Sequence, residues 1–322
     1  MSWQNMVACW LLRRHFRPET LRPVIDPARA RRLSGLRTRV PHRLPAGWRL
    51  RERYGPADIP LRGEWLEPAD SPAGRAPQSR MLLYFHGGGY YFCSPQTHRP
   101  LVFALTKYAD VRSFSLDYRL APEHPFPAAL DDALAAYRHL VATGTPPESI
   151  VFGGDSAGGG LALATLVALR DAGEPLPAGA VLFSPWTDLA ATGDTLRTHD
   201  GIDPVFAGIA LGRAARLYLG STPGDHPYAS PVYADLSGLP PLFIQVGSTE
   251  VLLDDARRVA ERARAAGVPV EFEIWPQMPH VWQIYVPFVP EAARALKRAA
   301  VFVRRVALER PAAQRAADIS MA

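Results

Sequence analysis

The stretch that decides the fold is residues 150–171, which read IVFGGDSAGGGLALATLVALRD. A β-rich apolar run over 150–154 leads into GDSAG (154–158), and an apolar helical pattern over 157–171 follows. G-x-S-x-G between a strand and a helix is a turn sharp enough to lift a serine hydroxyl above a sheet. Glycines flank that serine because a Cβ atom would collide with the neighbouring strand or helix. We predict a nucleophile at Ser156. The alternative is a glycine-rich turn that holds a phosphate, but the phosphate-binding lysine pattern is missing.

Further β-rich runs lie on both sides of this stretch, and helical patterns separate most of them. The candidate strands are 49–54, 62–67, 81–85, 111–116, 150–154, 180–184, 242–246 and 270–275, and the candidate helices are 97–109, 127–142, 157–171, 254–266 and 290–309. This alternation predicts an α/β fold with a mostly parallel eight-stranded sheet and helices on both faces. Such sheets bind their ligands at the carboxyl ends of the strands.

Two stretches do not follow the alternation. Residues 1–46 precede the first strand, and residues 187–236 separate two core strands without a strand pattern of their own. Both can fold over the carboxyl edge of the sheet as a helical cap. We therefore predict a single domain over 1–322, with the cap on a core of about 47–186 and 237–310.

HGGGY (86–90) follows the predicted strand 81–85 and exposes backbone N–H groups where no side chain intervenes. Hydrolysis of an ester or amide builds negative charge on the carbonyl oxygen, and donors preorganised at that point lower the barrier. The N–H groups of Gly87 and Gly88, joined by that of Ala157, suit this oxyanion hole. A purely structural turn is the alternative. We expect His86 to order the loop by hydrogen bonding.

A serine hydroxyl needs a neighbouring base, and the base needs an orienting acid. His280 is the last histidine in the chain and follows the last predicted strand. Three acids follow strand 242–246: Glu250 in the loop itself, and Asp254 and Asp255 at the predicted helix start, where an N-cap role explains at least one of them. We favour Glu250 as the acid, with Asp254 as the alternative.

With these residues assembled, the sequence resembles the hormone-sensitive-lipase-like branch of the α/β-hydrolases, in its bacterial esterase form. HGGGY, DYRLAPEHPFP (117–127), GDSAGG and the loop that holds His280 match that family in order over roughly 60–310. The resemblance implies an α/β-hydrolase fold with a helical cap. It also implies a serine carboxylesterase with Ser156 as nucleophile, His280 as base, and Gly87, Gly88 and Ala157 as oxyanion donors.

The resemblance leaves the substrate open. Many members of the family have Asp-Pro-Leu where this chain has Glu250-Val251-Leu252, and the Glu form resembles a subgroup described as monoterpene ε-lactone hydrolases. We expect short-to-medium acyl esters, with a lactone or an acetylated amine as alternatives and a non-catalytic small-molecule receptor as a remote one. Tyr90, Phe92 and Trp186 are candidate pocket residues.

Composition excludes several other classes. Hydrophobic residues make up 48% of the 322 residues and charged residues 21%, which is globular, and the two cysteines exclude a disulfide scaffold. No cluster has metal-ligand spacing, so we expect neither metal nor organic cofactor. The chain lacks a secretory signal pattern and a membrane-spanning segment, which favours the cytoplasm. An exposed edge at strand 270–275 suits homodimer formation.

Charge is concentrated near the start of the chain. Residues 1–55 hold thirteen arginines against three acids, a charge of +10, whereas the whole chain carries +5. The arginines are spread out, so we favour a solvated helical segment and no nucleic-acid partner. Trp3, Met6, Val7, Trp10 and Leu11 fall at helical spacing. We expect this amphipathic stripe to pack on the body of the protein, with a membrane-surface role as the alternative.

Overall fold

The computed structural model describes residues 1–39, 43–56, 59–69 and 80–307, and the side chains of Arg37 and Arg39 are left out of the description. Within these ranges the strands form one eight-stranded sheet in the order β1-β2-β4-β3-β5-β6-β7-β8. The strands are β1 (Trp48–Arg53), β2 (Gly63–Pro68), β3 (Met81–Phe85), β4 (Arg112–Leu116), β5 (Ile150–Asp155), β6 (Gly179–Phe183), β7 (Leu242–Gly247) and β8 (Val270–Trp275). The predicted α/β-hydrolase fold is confirmed.

The helices that cover the sheet come from the runs between strands. They are α4 (Pro95–Ala109), α5 (Ala128–Ala142), α6 (Ala157–Asp171), α9 (Leu253–Ala265) and α10 (Pro290–Val306). Their apolar sides form two buried clusters, one on each face of the sheet. The first two strand pairs, β1–β2 and β2–β4, are antiparallel, and every pairing from β4 to β8 is parallel. The end predicted for the last helix, residues 308–309, lies outside the described residues.

Among the described residues, the two stretches outside the alternation contain helices and connecting chain but no strand. The first contains α1 (Trp3–Leu11), a π-helical turn (Leu12–Phe16), α2 (Arg17–Thr20) and α3 (Pro27–Gly35), and the second contains α7 (Thr195–Thr198) and α8 (Gly208–Leu219). We call the described parts of residues 1–46 and 187–236 the cap. Residues 40–42 of the predicted cap, and residues 57–58, 70–79 and 308–310 of the predicted core, lie outside the described residues. The division of the domain into cap and core stays a prediction.

Arginine side chains join the two cap segments through backbone carbonyls. Arg13 donates to the carbonyls of Gly201 and Ile202, and Arg17 donates to that of Asp203. In the opposite direction, Arg213 on α8 donates to the carbonyl of Arg22. Each segment therefore holds the other although nearly two hundred residues separate them in the chain.

The orientation predicted for α1 was wrong. The helix contacts the protein through Asn5, which is fully buried and donates to the carbonyl of Gln277, and through Ala8. The large apolar side chains of the predicted stripe point outward, and Trp3 and Trp10 are 64% and 62% exposed. Helical spacing identified the stripe correctly, but it does not say which of the two faces meets the protein.

Candidate active site

Ser156 stands at the turn between β5 and α6, with φ of 52°. A Cβ atom on Gly154 would lie 2.2 Å from the Gly158 carbonyl oxygen, and one on Gly158 would lie 2.0 Å from that of Phe85. No side chain fits at either position, so the two glycines allow the close packing of the turn. The left-handed backbone of a non-glycine residue stores strain at the point where the serine hydroxyl leaves the sheet.

Glu250 and His280 come together at the carboxyl ends of β7 and β8. Glu250 Oε2 lies 2.7 Å from His280 Nδ1, and both residues are buried. The other carboxylate oxygen, Oε1, accepts hydrogen bonds from the Ser184 hydroxyl at 2.7 Å and from the Gly247 N–H at 2.5 Å. Because both carboxylate oxygens are occupied, the carboxylate is fixed in position and so is the imidazole that it contacts.

The environment of His280 favours its protonated form. Burial lowers the pKa of His280, but the hydrogen bond and the charge of Glu250, helped by Asp203 and Asp155, outweigh burial and raise that pKa above its ordinary 6.5. Glu250 therefore both orients the ring and favours its protonated form. Glu250 Oε2 faces Nδ1, so Nε2 is the ring nitrogen that does not contact Glu250.

The competing acids bind the cap. Asp254 Oδ2 accepts the N–H of Asp194 at 3.0 Å. Asp255 Oδ2 accepts the N–H groups of Thr187 and Asp188, and burial raises the pKa of Asp255 to about 8. Both carboxylates are therefore committed to the chain that follows β6, and neither bonds His280.

Asp155, directly before Ser156, holds the loop of residues 86–90 in place; we call these residues the glycine loop. Its Oδ1 accepts the Tyr84 hydroxyl at 2.7 Å and the Gly87 N–H at 3.0 Å, and its Oδ2 lies 3.1 Å from His98 Nε2. Burial pushes the pKa of Asp155 up, but His98 and the Tyr84 hydroxyl outweigh burial and hold it below its ordinary value. Asp155 is thus a buried, ionised anchor for the loop.

This anchor revises the expected oxyanion donors. The Gly87 N–H is already bound to Asp155, so it is not free for a substrate. Among the described residues, no acceptor takes the N–H groups of Gly88, Gly89 or Ala157. Gly88 and Gly89 are partly exposed and Gly87 is buried. The free donors are therefore Gly88, Gly89 and Ala157, one residue further along the loop than the sequence suggested.

His86 braces the same loop. Its ring stacks on Tyr118 at 4.3 Å between centroids, and Nδ1 donates to the Gly87 carbonyl at 2.7 Å. Complete burial, with the neighbouring His98, lowers the pKa of His86 to about 3. His86 is therefore neutral, in line with the loop-ordering role expected from the sequence.

The expected pocket residues differ in exposure. Tyr90 and Trp186 are each 1% exposed, and Tyr90 stacks on Tyr218 of α8 at 3.8 Å, so these rings pack the core against the cap. Phe92 is partly exposed. One further residue was not predicted from the sequence: Phe206, a partly exposed cap residue whose ring lies 5.0 Å from that of His280. No motif marks Phe206, because only the fold brings it to the histidine.

Two negative findings concern the described part of the chain. None of its helices has the length and apolar character needed to cross a bilayer. No cluster of three or more histidine, cysteine or acidic side chains there is arranged to hold a metal ion.

Comparison with known proteins gives the family. A family model described as the α/β hydrolase fold matches residues 82–284. An acetyl-hydrolase from Streptomyces hygroscopicus is 49% identical over 265 residues, which cover 80% of this chain and 87% of the relative. An esterase from Acinetobacter venetianus is 38% identical over 251 residues, which cover 77% of this chain and 80% of the relative.

Solved structures agree with the sequence relatives. The crystal structure of an esterase from the bacterial hormone-sensitive lipase family superimposes with a TM-score of 0.84 at 41% identity, and the match covers 96% of this chain and 99% of the other. The chain therefore belongs to the α/β-hydrolase family, in its bacterial hormone-sensitive-lipase-like esterase branch of carboxylic ester hydrolases.

Proposed function

We propose that the protein is a serine carboxylesterase for short-to-medium acyl esters, with a Ser156–His280–Glu250 triad. The observation that carries the proposal is the 2.7 Å contact between Glu250 and His280, made by the loops after β7 and β8 at the same edge of the sheet where β5 turns into α6 at Ser156. A carboxylate fixed at both oxygens and a histidine with a raised pKa form the base that a serine hydroxyl needs.

In the proposed mechanism, His280 Nε2 takes the proton of Ser156 as its oxygen attacks the ester carbonyl. The N–H groups of Gly88, Gly89 and Ala157 stabilise the negative charge on the tetrahedral intermediate. His280 then protonates the departing alcohol, and a water activated by the same nitrogen hydrolyses the acyl-enzyme. The Glu250 carboxylate stabilises the imidazolium.

The cap supports a preference for small substrates. Phe206 touches the ring of His280 and packs edge-on against Phe16 at 6.1 Å, so both cap segments contribute an aromatic wall beside the reacting centre. We propose that these two rings, with Phe92, line the substrate pocket and limit the length of the acyl chain. A relative named acetyl-hydrolase supports the short end of the range.

The same relative's name also favours a second candidate, because an acetyl group is removed from amines as well as from alcohols. Lactone hydrolysis is the other alternative and rests on Glu250 at the acid position. Both use the same triad.

The cytoplasmic location, the homodimer, and the absence of a cofactor or a nucleic-acid partner stay predictions. Cys9 and Cys93 form no disulfide, which agrees with the first, and the edge position of β8 agrees with the second.

The experiment is a panel of p-nitrophenyl acetate, butyrate, octanoate and palmitate, with a seven-membered lactone and an acetylated aryl amine, run on wild type and Ser156→Ala. We expect turnover to be highest on the short esters and lost in the variant, and a fluorophosphonate to label Ser156. A maximum on palmitate would refute the size preference, and faster turnover of the lactone or amide would put that alternative first. No turnover and no labelling in folded protein would favour the receptor.

A further inference from the structure

Helix α1 presents its large apolar side chains to the outside of the protein and not to the core. Its inward face holds Asn5 and Ala8, which are polar or small. Its outward face consists of Trp3, Met6, Val7, Trp10 and Leu11, which are between 40% and 64% exposed. A helix that served only this fold would present its large apolar side chains to the core. The observed orientation leaves them for a partner outside the chain.

The apolar surface extends beyond the helix. The Trp3 ring packs edge-on against Phe288 at 6.0 Å, and Phe288 is itself 49% exposed. At the other end, Arg13 binds the carbonyl of Ile202, whose side chain is 47% exposed. We define the N-terminal apolar face as Trp3, Met6, Val7, Trp10, Leu11 and Phe288. Contiguous apolar surface of this kind is rare on monomeric proteins unless it binds something.

Positive charge borders this face. Arg13 and Arg14 directly follow α1 and are exposed, and Arg14 lies one turn beyond Trp10 on the same side. Residues 1–55 as a whole carry +10. The acid nearest in sequence, Glu19, is bound by Arg29 and Arg22, so it does not cancel the charge of Arg14. The partner should therefore combine apolar material with negative charge.

We propose that the N-terminal apolar face docks on an anionic lipid bilayer, with α1 lying in the plane of the interface. Tryptophan is the side chain most suited to the boundary between headgroups and acyl chains, and two of them lie on this face. Exposed arginines next to the apolar side chains bind anionic headgroups. A second copy of the chain fits less well, because a two-fold pair would bring two arginine-rich segments together.

Docking has a consequence for the active site, and this step rests on the proposed function. Phe16, five residues beyond Leu11, packs against Phe206 beside His280. A bilayer bound by α1 would therefore be held by the same cap segment that contributes Phe16 to the aromatic wall. Docking itself does not need the triad, so binding to vesicles and hydrolysis of a soluble ester test the two proposals separately.

The test is flotation of the full chain with vesicles of phosphatidylcholine alone, or of phosphatidylcholine and phosphatidylglycerol in equal parts, at low and high salt. We expect flotation with the anionic vesicles that weakens as salt rises. Trp3→Ser with Trp10→Ser should lower the bound-to-free ratio by about tenfold or more. Arg14→Glu should lower it several-fold at low salt only. Hydrolysis of p-nitrophenyl acetate in solution should stay at the wild-type rate, which shows that each variant is folded.

The matched control exchanges two apolar residues that are exposed elsewhere, Ile274→Ser on β8 with Val301→Ser on α10, which are 42% and 53% exposed. This pair should float like wild type. Absence of flotation with either vesicle would overturn the proposal, and so would equal loss in the control pair. Equal flotation with neutral and anionic vesicles at both salts would overturn the anionic specificity. A dimer that becomes a monomer on the tryptophan exchanges, without vesicle binding, would make the partner a second copy.

Discussion

Two buried carboxylate–imidazole pairs lie near Ser156, and their difference shows how a fold assigns roles to the same chemical groups. Glu250 with His280 stands at the carboxyl edge of the sheet, and Asp155 with His98 stands behind the glycine loop. In the first pair Glu250 contacts Nδ1, which leaves Nε2 for the proposed proton transfer from Ser156. In the second, Asp155 takes Nε2 and Thr97 Oγ1 lies 2.9 Å from Nδ1, so both nitrogens of His98 are occupied. His98 therefore has no ring nitrogen left to offer to Ser156 or to a substrate.

The largest expected effect falls on the first pair. Glu250→Gln keeps the size of the side chain but removes the charge that stabilises the imidazolium, so we expect kcat on p-nitrophenyl acetate to fall by about 10³–10⁴-fold with little change in KM. The matched control is Asp254→Asn, which changes the competing acid and should leave kcat within a few-fold of wild type. If Asp254→Asn were the more damaging exchange, the triad would have to be reassigned.

The second pair should act through the oxyanion donors. Asp155→Asn replaces one acceptor oxygen with an NH₂ group. That group faces either His98 or the pair formed by the Tyr84 hydroxyl and the Gly87 N–H, and it cannot accept their hydrogen bonds. The glycine loop therefore loses its anchor. We expect kcat to fall by about 10²-fold and the free energy of unfolding to fall by about 2 kcal/mol. Kinetics together with urea unfolding measure both changes. A loss as large as that of Glu250→Gln, without any loss of stability, would mean that Asp155 takes part in proton transfer.

The pH dependence distinguishes the pairs most sharply. His280 acts as a base only when it is neutral, and its pKa is raised above 6.5, so kcat/KM should fall on the acid side with a midpoint above 6.5. Glu250→Gln removes the main cause that raises the pKa of His280, and we expect the midpoint to move down by about one unit. His98→Gln keeps a donor for Asp155 and should leave the midpoint unchanged. If the midpoint moved in His98→Gln and not in Glu250→Gln, the titrating group would be His98 and not His280.

The smallest effect should come from Arg31, a cap residue that contacts the chain directly after the glycine loop. Arg31 of α3 donates to the carbonyls of Tyr91 and Ala121 and pairs with Glu123. The ion pair is half exposed and contributes little by itself, so the two carbonyl contacts should matter more. We expect Arg31→Met to lower kcat/KM on short esters by about threefold to tenfold through misplacement of the loop.

Arg138→Met is the control for this exchange, because Arg138 makes a similarly exposed pair with Glu174 away from the loop. It should change neither kcat nor KM. Equal effects of the two variants would show that Arg31 acts only as a surface charge, and the cap would then have no part in ordering the oxyanion donors.

What the sequence could predict was the local part of this arrangement. The strand–GDSAG–helix pattern located Ser156, and the position of Glu250 directly after β7 separated it from the aspartates at the helix start. Two of the choices that differed from the structure depend on long-range partners. Whether the Gly87 N–H is free depends on Asp155, 68 residues away. Which face of α1 turns inward depends on a backbone carbonyl at Gln277, and no periodicity contains that information.

The arginine–carbonyl hydrogen bonds that join the two cap segments have a consequence for sequence variation in the cap. Arg13, Arg17 and Arg213 hold main-chain carbonyls at Gly201, Ile202, Asp203 and Arg22. Every amino acid offers a carbonyl, so Ile202 and Arg22 can be replaced as long as the backbone keeps its course. Gly201 has a φ of 85°, which favours glycine, and Asp203 also binds the Val251 N–H through its side chain. We expect the three donor arginines to vary less in sequence than the residues around them. The shape of the substrate pocket could then change while the two cap segments stay in contact.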